Sequence, residues 1–226
     1  MKLLDNICQQ VLSEEVSDDT GLLNGKLGKA IFLFEYAKSC NVPIAEEQAY
    51  ELLQEVLDNL SEGQSEKNLG LTNGLFGIGC GIHYLYANGF LDIEDPDDFF
   101  SAFDFLAVKI ANNYPPIALG YEGLAAVALY MLKRISHDKH NGGSIGLLKE
   151  HFIYLIDRLH ELQFTTSSQG EQVLALLLEI SKRGYYKTRV EAMIKHLMNK
   201  HTVVMPFPKI QGYAGVGLQI LNKTVL

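Results

Sequence analysis

Gly21-Leu22-Leu23-Asn24-Gly25-Lys26-Leu27-Gly28 returns 49 residues later as Gly70-Leu71-Thr72-Asn73-Gly74-Leu75-Phe76-Gly77. Shorter versions of its core follow as Leu119-Gly120-Tyr121-Glu122-Gly123, a degraded Gln169-Gly170-Glu171-Gln172-Val173, and Gln211-Gly212-Tyr213-Ala214-Gly215. The first glycines stand at 25, 74, 120, 170 and 212, in steps of 49, 46, 50 and 42 residues. One Gly-x-x-Gly phrase carries little information. Five at a near-constant step mark stacked supersecondary units, because periods of about 20–50 residues are those of repeat architectures.

Each phrase opens an apolar run, and each run is preceded by an amphipathic one. Leu27, Ala30, Ile31, Phe32, Leu33, Phe34, Tyr36 and Ala37 cover every side of a helix, which therefore has to be buried all round. A second apolar helix is expected from about Gly74 to Ala87, a third from Gly120 to about Ile135, a fourth over Val173 to Ile180, and a short last one from Gly212. The alternating segments carry one apolar stripe each: Leu4, Ile7, Cys8, Val11 and Leu12; Ala49, Leu52, Leu53, Val56, Leu57 and Leu60; Phe99, Phe103, Leu106, Ala107 and Ile110. Leu148, Phe152, Leu155, Ile156 and Leu159 form a fourth stripe, with Ser144 as its expected cap, and Val190, Met193, Ile194 and Leu197 a fifth. Sustained strand alternation is missing, so the chain reads as all-α. Five hairpins of one apolar and one amphipathic helix suggest an α/α toroid, a single domain over 1–226, with the apolar helices inside. On that reading the glycines at 25, 28, 74, 77, 120, 123, 212 and 215 let inner helices approach where their starts crowd together.

The net charge of −8 over 226 residues argues against nucleic acid or an anionic membrane as partner, since both call for basic patches. The apolar run at Met1-Lys2-Leu3-Leu4-Asp5-Asn6 ends too early for a signal peptide, and no stretch reaches the roughly 20 apolar residues of a membrane span. Three cysteines without a Cys-x-x-Cys pair do not make a disulfide framework. A reduced, cytoplasmic location is expected.

In these phrases the chain resembles the lanthionine synthetase C-like (LanC-like) family. The resemblance implies a toroid, and an enzyme that adds cysteine thiols to dehydrated serine or threonine of a precursor peptide on a zinc ion. The family has seven hairpins against five here. Its zinc ligands sit in phrases like Cys-His-Gly-x-x-Gly and Trp-Cys-x-Gly, just before a repeat glycine. The matching positions here hold Leu23, Thr72, Ala118, Ser168 and Ile210, then Asn24, Asn73, Leu119, Gln169 and Gln211, and the chain has no tryptophan. A catalytic zinc needs three such ligands. The expectation is therefore a family member without the metal or any other cofactor, and without the cyclase chemistry, that binds a peptide or a partner enzyme; a purely structural interaction module is an alternative.

Asn24, Asn73, Gln169 and Gln211 precede equivalent glycines, and Tyr121 and Tyr213 follow two of them. On a toroid they would ring one mouth, where amides and helix N-termini suit an extended peptide or a carboxylate. Helix capping is the competing assignment, which asparagine fulfils well and glutamine poorly. Glu122 and Glu171 are a further candidate, as an acid–base pair on a glycoside-processing toroid; that chemistry needs two carboxyls about 5–10 Å apart in a sugar cleft. Cys80 and His83, three apart on an apolar helix, are a candidate metal pair or a buried thiol beside a hydrogen-bonded imidazole, and burial is the commoner fate of a free cysteine. His137 and His140 sit in a loop without further ligands.

Overall fold

Helix is the only regular structure in the described residues, as the absence of strand alternation predicts. The structure, a computed structural model, describes residues 2–14, 18–61, 68–113, 116–137, 143–161, 175–178, 180–184, 187–198 and 209–225, with backbone only at 116–121, 143, 159–161, 187, 189 and 196–198. They form two compact units, 1–92 with 208–226 and 93–207.

The first unit contains α1 (Lys2–Ser13), α2 (Lys26–Cys40), α3 (Pro43–Ser61), α4 (Leu75–Ala87) and a C-terminal helix, Gly212–Ile220. The apolar helices behave as their composition dictates. Every residue of α2 from Ala30 to Ala37 is buried, and so is every residue of α4 from Phe76 to Leu85. Helix α3 packs its stripe of Ala45, Ala49, Leu53 and Val56 against α2, and α1 buries Ile7, Cys8 and Val11. Two glycines outside the repeated phrase set how closely α2 is flanked. A Cβ at Gly81 of α4 would lie 2.6 Å from Leu27, and one at Gly217 would lie 2.1 Å from the Phe32 ring.

One acid lies inside the apolar wrapping of α2. Glu35 is 1 % exposed; it accepts the Tyr84 hydroxyl proton at 2.6 Å and pairs with Lys223 Nζ at 2.9 Å. Burial, then the bond to Glu35, raise the Tyr84 pKa, and burial with the Asp5 bond at 2.8 Å does the same for Tyr36. The folded chain thus keeps two protons that the unfolded chain releases above about pH 10. Stability is full below that pH and falls as pH rises through it, because the native state there binds more protons. Urea unfolding from pH 9 to 11 should show this fall, and Tyr84→Phe should make it shallower.

The second unit contains α5 (Pro96–Asn113), α6 (Pro116–His137), α7 (Gly143–Glu161), helical turns over 175–182 (179 not described), and α8 (Lys187–Met198). The C-terminal helix Gly212–Ile220 is accordingly α9. Asp95 caps α5 by accepting the N–H groups of Asp97 and Asp98 at 3.1 Å each, the bond an aspartate makes at a helix start. The buried stripe of α5 is rotated from its expected position. It runs Phe100, Asp104, Ala107, Ile110 and Ala111, and leaves Phe99 39 % exposed. Asp104 causes the shift. It is the acceptor for the Tyr130 hydroxyl at 2.6 Å, Arg134 Nη2 at 2.8 Å and the Ser144 hydroxyl at 2.7 Å. Ser144 is thus the second residue of α7 and a donor to α5, where the sequence suggested a cap. Arg134 also lies 4.6 Å from the Phe100 ring centre. One buried carboxylate ties α5, α6 and α7 together.

Helix α6 begins at Pro116, four residues before Gly120. Proline at the first helical position has its φ preset and no N–H to satisfy, so the helix starts there. Gly120 and Gly123 lie inside its second turn, which corrects their expected place at a helix start. No helix among the described residues is long and apolar enough to cross a membrane.

Candidate functional site

The repeated phrase folds as a loop laid over the first turn of its helix. In the first copy the Lys26 N–H donates to the Asp19 carbonyl at 2.8 Å, and the Asp19 carboxylate accepts the Gly21 N–H at 2.8 Å. In the second copy Leu75 N–H donates to Asn68 O at 2.8 Å, and Asn68 Oδ1 accepts from Gly70 N–H at 2.9 Å. The working unit is therefore longer than the glycines alone, with Asp19 and Asn68 as matched Asx turns. The signal was present: Asp19-Thr20-Gly21 and Asn68-Leu69-Gly70 stand at the same 49-residue offset.

This geometry reassigns the glycines. A Cβ at Gly25 would meet Gly21 N at 2.4 Å, at Gly74 it would meet Gly70 N at 2.3 Å, and at Gly77 Leu71 O at 2.0 Å. At Gly28 it would meet Leu22 O at 2.4 Å, and at Gly215 Ile210 O at 1.8 Å. The crowding backbone belongs to the loop of the same copy, where a neighbouring inner helix had been expected. It also uses up donors: Leu75 and Gly77, first and third in α4, give their N–H groups to loop carbonyls. Gly25, Gly74 and Gln211 occupy the N-cap positions of α2, α4 and α9, and none makes a side-chain cap bond. Capping thus does not account for Asn24, Asn73 or Gln211.

The loops of three copies are joined in series within the first unit. Gln211 N–H donates to Leu23 O at 2.8 Å, and Leu23 N–H donates to Thr72 O at 3.2 Å. The last copy is thereby bonded to the first, and the first to the second. Between the last and the first lies a half-open hollow of about 240 Å³, lined by Glu14, Leu23, Asn24, Gly25, Lys29, Ile210, Gln211, Gly212 and Ala214. Two of the expected mouth residues, Asn24 and Gln211, meet there, and both are exposed. Lys29 and Glu14 add an ion pair at 2.9 Å, with side chains 15 % and 35 % exposed. Glu14 and Lys29 were not singled out in the sequence, because Glu14 follows α1 while Lys29 lies in α2 and the two share no repeat position.

Asn73 and Tyr213, of the same unit, are not among the residues that line this hollow. Asn73 is exposed, its Oδ1 2.8 Å from where a Gly21 Cβ would sit. Tyr213 is exposed on α9 and Glu122 is exposed on α6. The Tyr121 side chain, Gln169, Gly170, Glu171 and His140 lie outside the described residues, so the acid–base pair has no described geometry. The described residues just before the repeat glycines do not fit zinc: Leu23 and Ile210 are buried aliphatics, and Thr72 and Asn24 carry only oxygen and amide groups. Cys80 is fully buried and His83 is 4 % exposed. No group of three or more His, Cys, Asp or Glu side chains able to hold a metal occurs among the described residues. Burial, followed by the nearby Asp5 charge, pushes the Cys8 thiol up, which removes nucleophilic character. No family model, curated protein or solved structure matches the chain.

Proposed function

We propose that the chain is a LanC-like α/α toroid that binds an extended peptide, or a partner enzyme presenting one, at its repeat tips, without zinc-dependent cyclase chemistry. One observation carries this reading: the Asn24 and Gln211 amides, at equivalent repeat positions, line one hollow and are not used as caps. An extended peptide offers a donor and an acceptor at each residue, and a side-chain amide matches both. The hollow's volume of about 240 Å³ falls below the ~300–1,000 Å³ of pockets for drug-sized ligands, so it takes part of a chain rather than a whole small molecule. The bond from the last copy to the first supports the ring, since an open solenoid holds its end repeats farthest apart.

Panning a displayed library of linear dodecapeptides should return sequences whose synthetic forms bind the wild-type protein. Asn24→Leu with Gln211→Leu should weaken them about tenfold, the loss of one or two hydrogen bonds of ~1 kcal/mol. Selected peptides that bind this double variant as tightly as the wild type would refute the site. Stoichiometric zinc with thioether-forming activity, both lost in Cys80→Ala, would refute the non-catalytic assignment.

A further inference from the structure

The hollow already contains a carboxylate, that of Glu14. This residue follows the last turn of α1 and reaches across to Lys29 on α2, with Oε2 at 2.9 Å from Nζ. Its Oε1 lies 3.9 Å from the position a Cβ would take on Gly212, the first residue of α9. Gly212 has φ +63°, so the backbone that closes this side of the hollow adopts a conformation that favours glycine, and no side chain intrudes between α9 and the acid. The carboxylate pairs with Lys29 and shares the hollow with Asn24, Gln211 and the first residue of α9. These are the groups that would receive the acid of a ligand.

We propose that the hollow is a carboxylate subsite and that Glu14 is its tethered occupant, displaced by an acidic side chain or a C-terminal carboxylate of the bound peptide. The inference rests on the peptide-binding reading above and narrows it to acidic sequences or chain ends. Three features favour it over a simple staple between α1 and α2. Lys29 forms part of the hollow's wall and is only 15 % exposed, so its charge is screened less than that of a surface lysine. Glu14 is more exposed, and solvated pairs of this kind are weak enough for an incoming carboxylate to compete with. The neighbouring cation, Lys26, is engaged elsewhere, at 2.5 Å from Glu55, which leaves Lys29 as the hollow's charged anchor.

Three alanine-based hexapeptides, all N-acetylated, separate the possibilities. One carries a central glutamate and an amidated end, one a central glutamine and an amidated end, and one a central glutamine and a free C-terminal carboxylate. Binding is followed by NMR shifts of the Asn24 and Gln211 side-chain amides. Glu14→Gln should tighten the carboxylate-bearing peptides about two- to fivefold, the scale of removing one solvated ion-pair competitor, and leave the neutral peptide unchanged. Lys29→Met should abolish the preference for a carboxylate, and Lys29→Arg should retain it. The two carboxylate peptides compared with each other show whether a side chain or a chain end is read. Equal tightening of all three peptides, or a carboxylate preference that survives Lys29→Met, overturns the subsite while the peptide-binding reading stands. If neither these peptides nor any library-selected peptide binds any variant, both readings fall.

Discussion

Gly77→Ala should lower the stability of the protein by about 3 kcal/mol, at the upper end of overpacking penalties. The added Cβ would stand 2.0 Å from the Leu71 carbonyl oxygen and 2.7 Å from its carbon, and neither can swing aside as a side chain would. The same carbonyl loop receives bonds from α4, since Gly77 N–H donates to Gly70 O at 3.2 Å and Leu75 N–H to Asn68 O. Moving the loop therefore breaks the helix start as well. For a chain of this size the loss corresponds to a fall in the thermal midpoint of roughly 6–12 °C. Gly70→Ala is the control, because its Cβ would meet only the Asn68 side-chain oxygen, at 3.1 Å. It should cost under about 1 kcal/mol, within the usual range of mild substitutions. Equal midpoints for the Gly77 variant and the wild type would show that the loop does not lie over the helix as described.

Arg134→Met should be the most damaging substitution in the second unit, at about 3–5 kcal/mol, the penalty for stranding one partner of a buried ion pair. Arg134 and Asp104 are each 1 % exposed and joined at 2.8 Å. Burial alone would lower the arginine pKa, but the bond to Asp104 and its charge outweigh that and raise it. The lone Asp104 carboxylate would keep Tyr130 and Ser144 as donors, yet without its counter-charge. Adding Asp104→Leu should recover part of the loss, since removing both charges is far less costly than removing one. Recovery stays incomplete because the Tyr130 and Ser144 hydroxyls then lose their acceptor. Chemical unfolding of the two single variants and the double variant gives the coupling directly. Additive losses would mean that the pair does not interact.

The helices were legible because their determinants are local. The step from polar turn to apolar run located α2, α4 and α9 to within a residue or two, and Ile7, Cys8 and Val11 of α1, Ala49, Leu53 and Val56 of α3, Leu148, Phe152, Leu155 and Ile156 of α7, and Val190, Met193 and Ile194 of α8 are buried as their stripes predict. Where the reading missed, a distant residue had decided. The α5 stripe turned toward Asp104 because Tyr130 and Arg134 come from 26 and 30 residues further on. Asp104 stands between Phe103 and Phe105, and Glu35 inside a run of aromatics and aliphatics. A lone acid in such a run is a sign of a buried partner, although the sequence does not say which. The Asx residues Asp19 and Asn68 were readable from the 49-residue offset alone. The Glu14–Lys29 pair was not, since nothing periodic connects it.

By itself the sequence determined an all-helical chain built on a repeated glycine phrase, with an asparagine or glutamine directly before four of the five first glycines. Those properties depend on hydrophobic periodicity and residue identity, which act within a turn or two of chain. Only the tertiary structure decided that the glycines make room for their own loops, that the last phrase is bonded to the first, and that Asn24, Gln211, Lys29 and Glu14 share a hollow. Such juxtapositions bring together groups up to about two hundred residues apart in the chain, and they are fixed by packing and by the need to satisfy backbone donors, which no local pattern encodes.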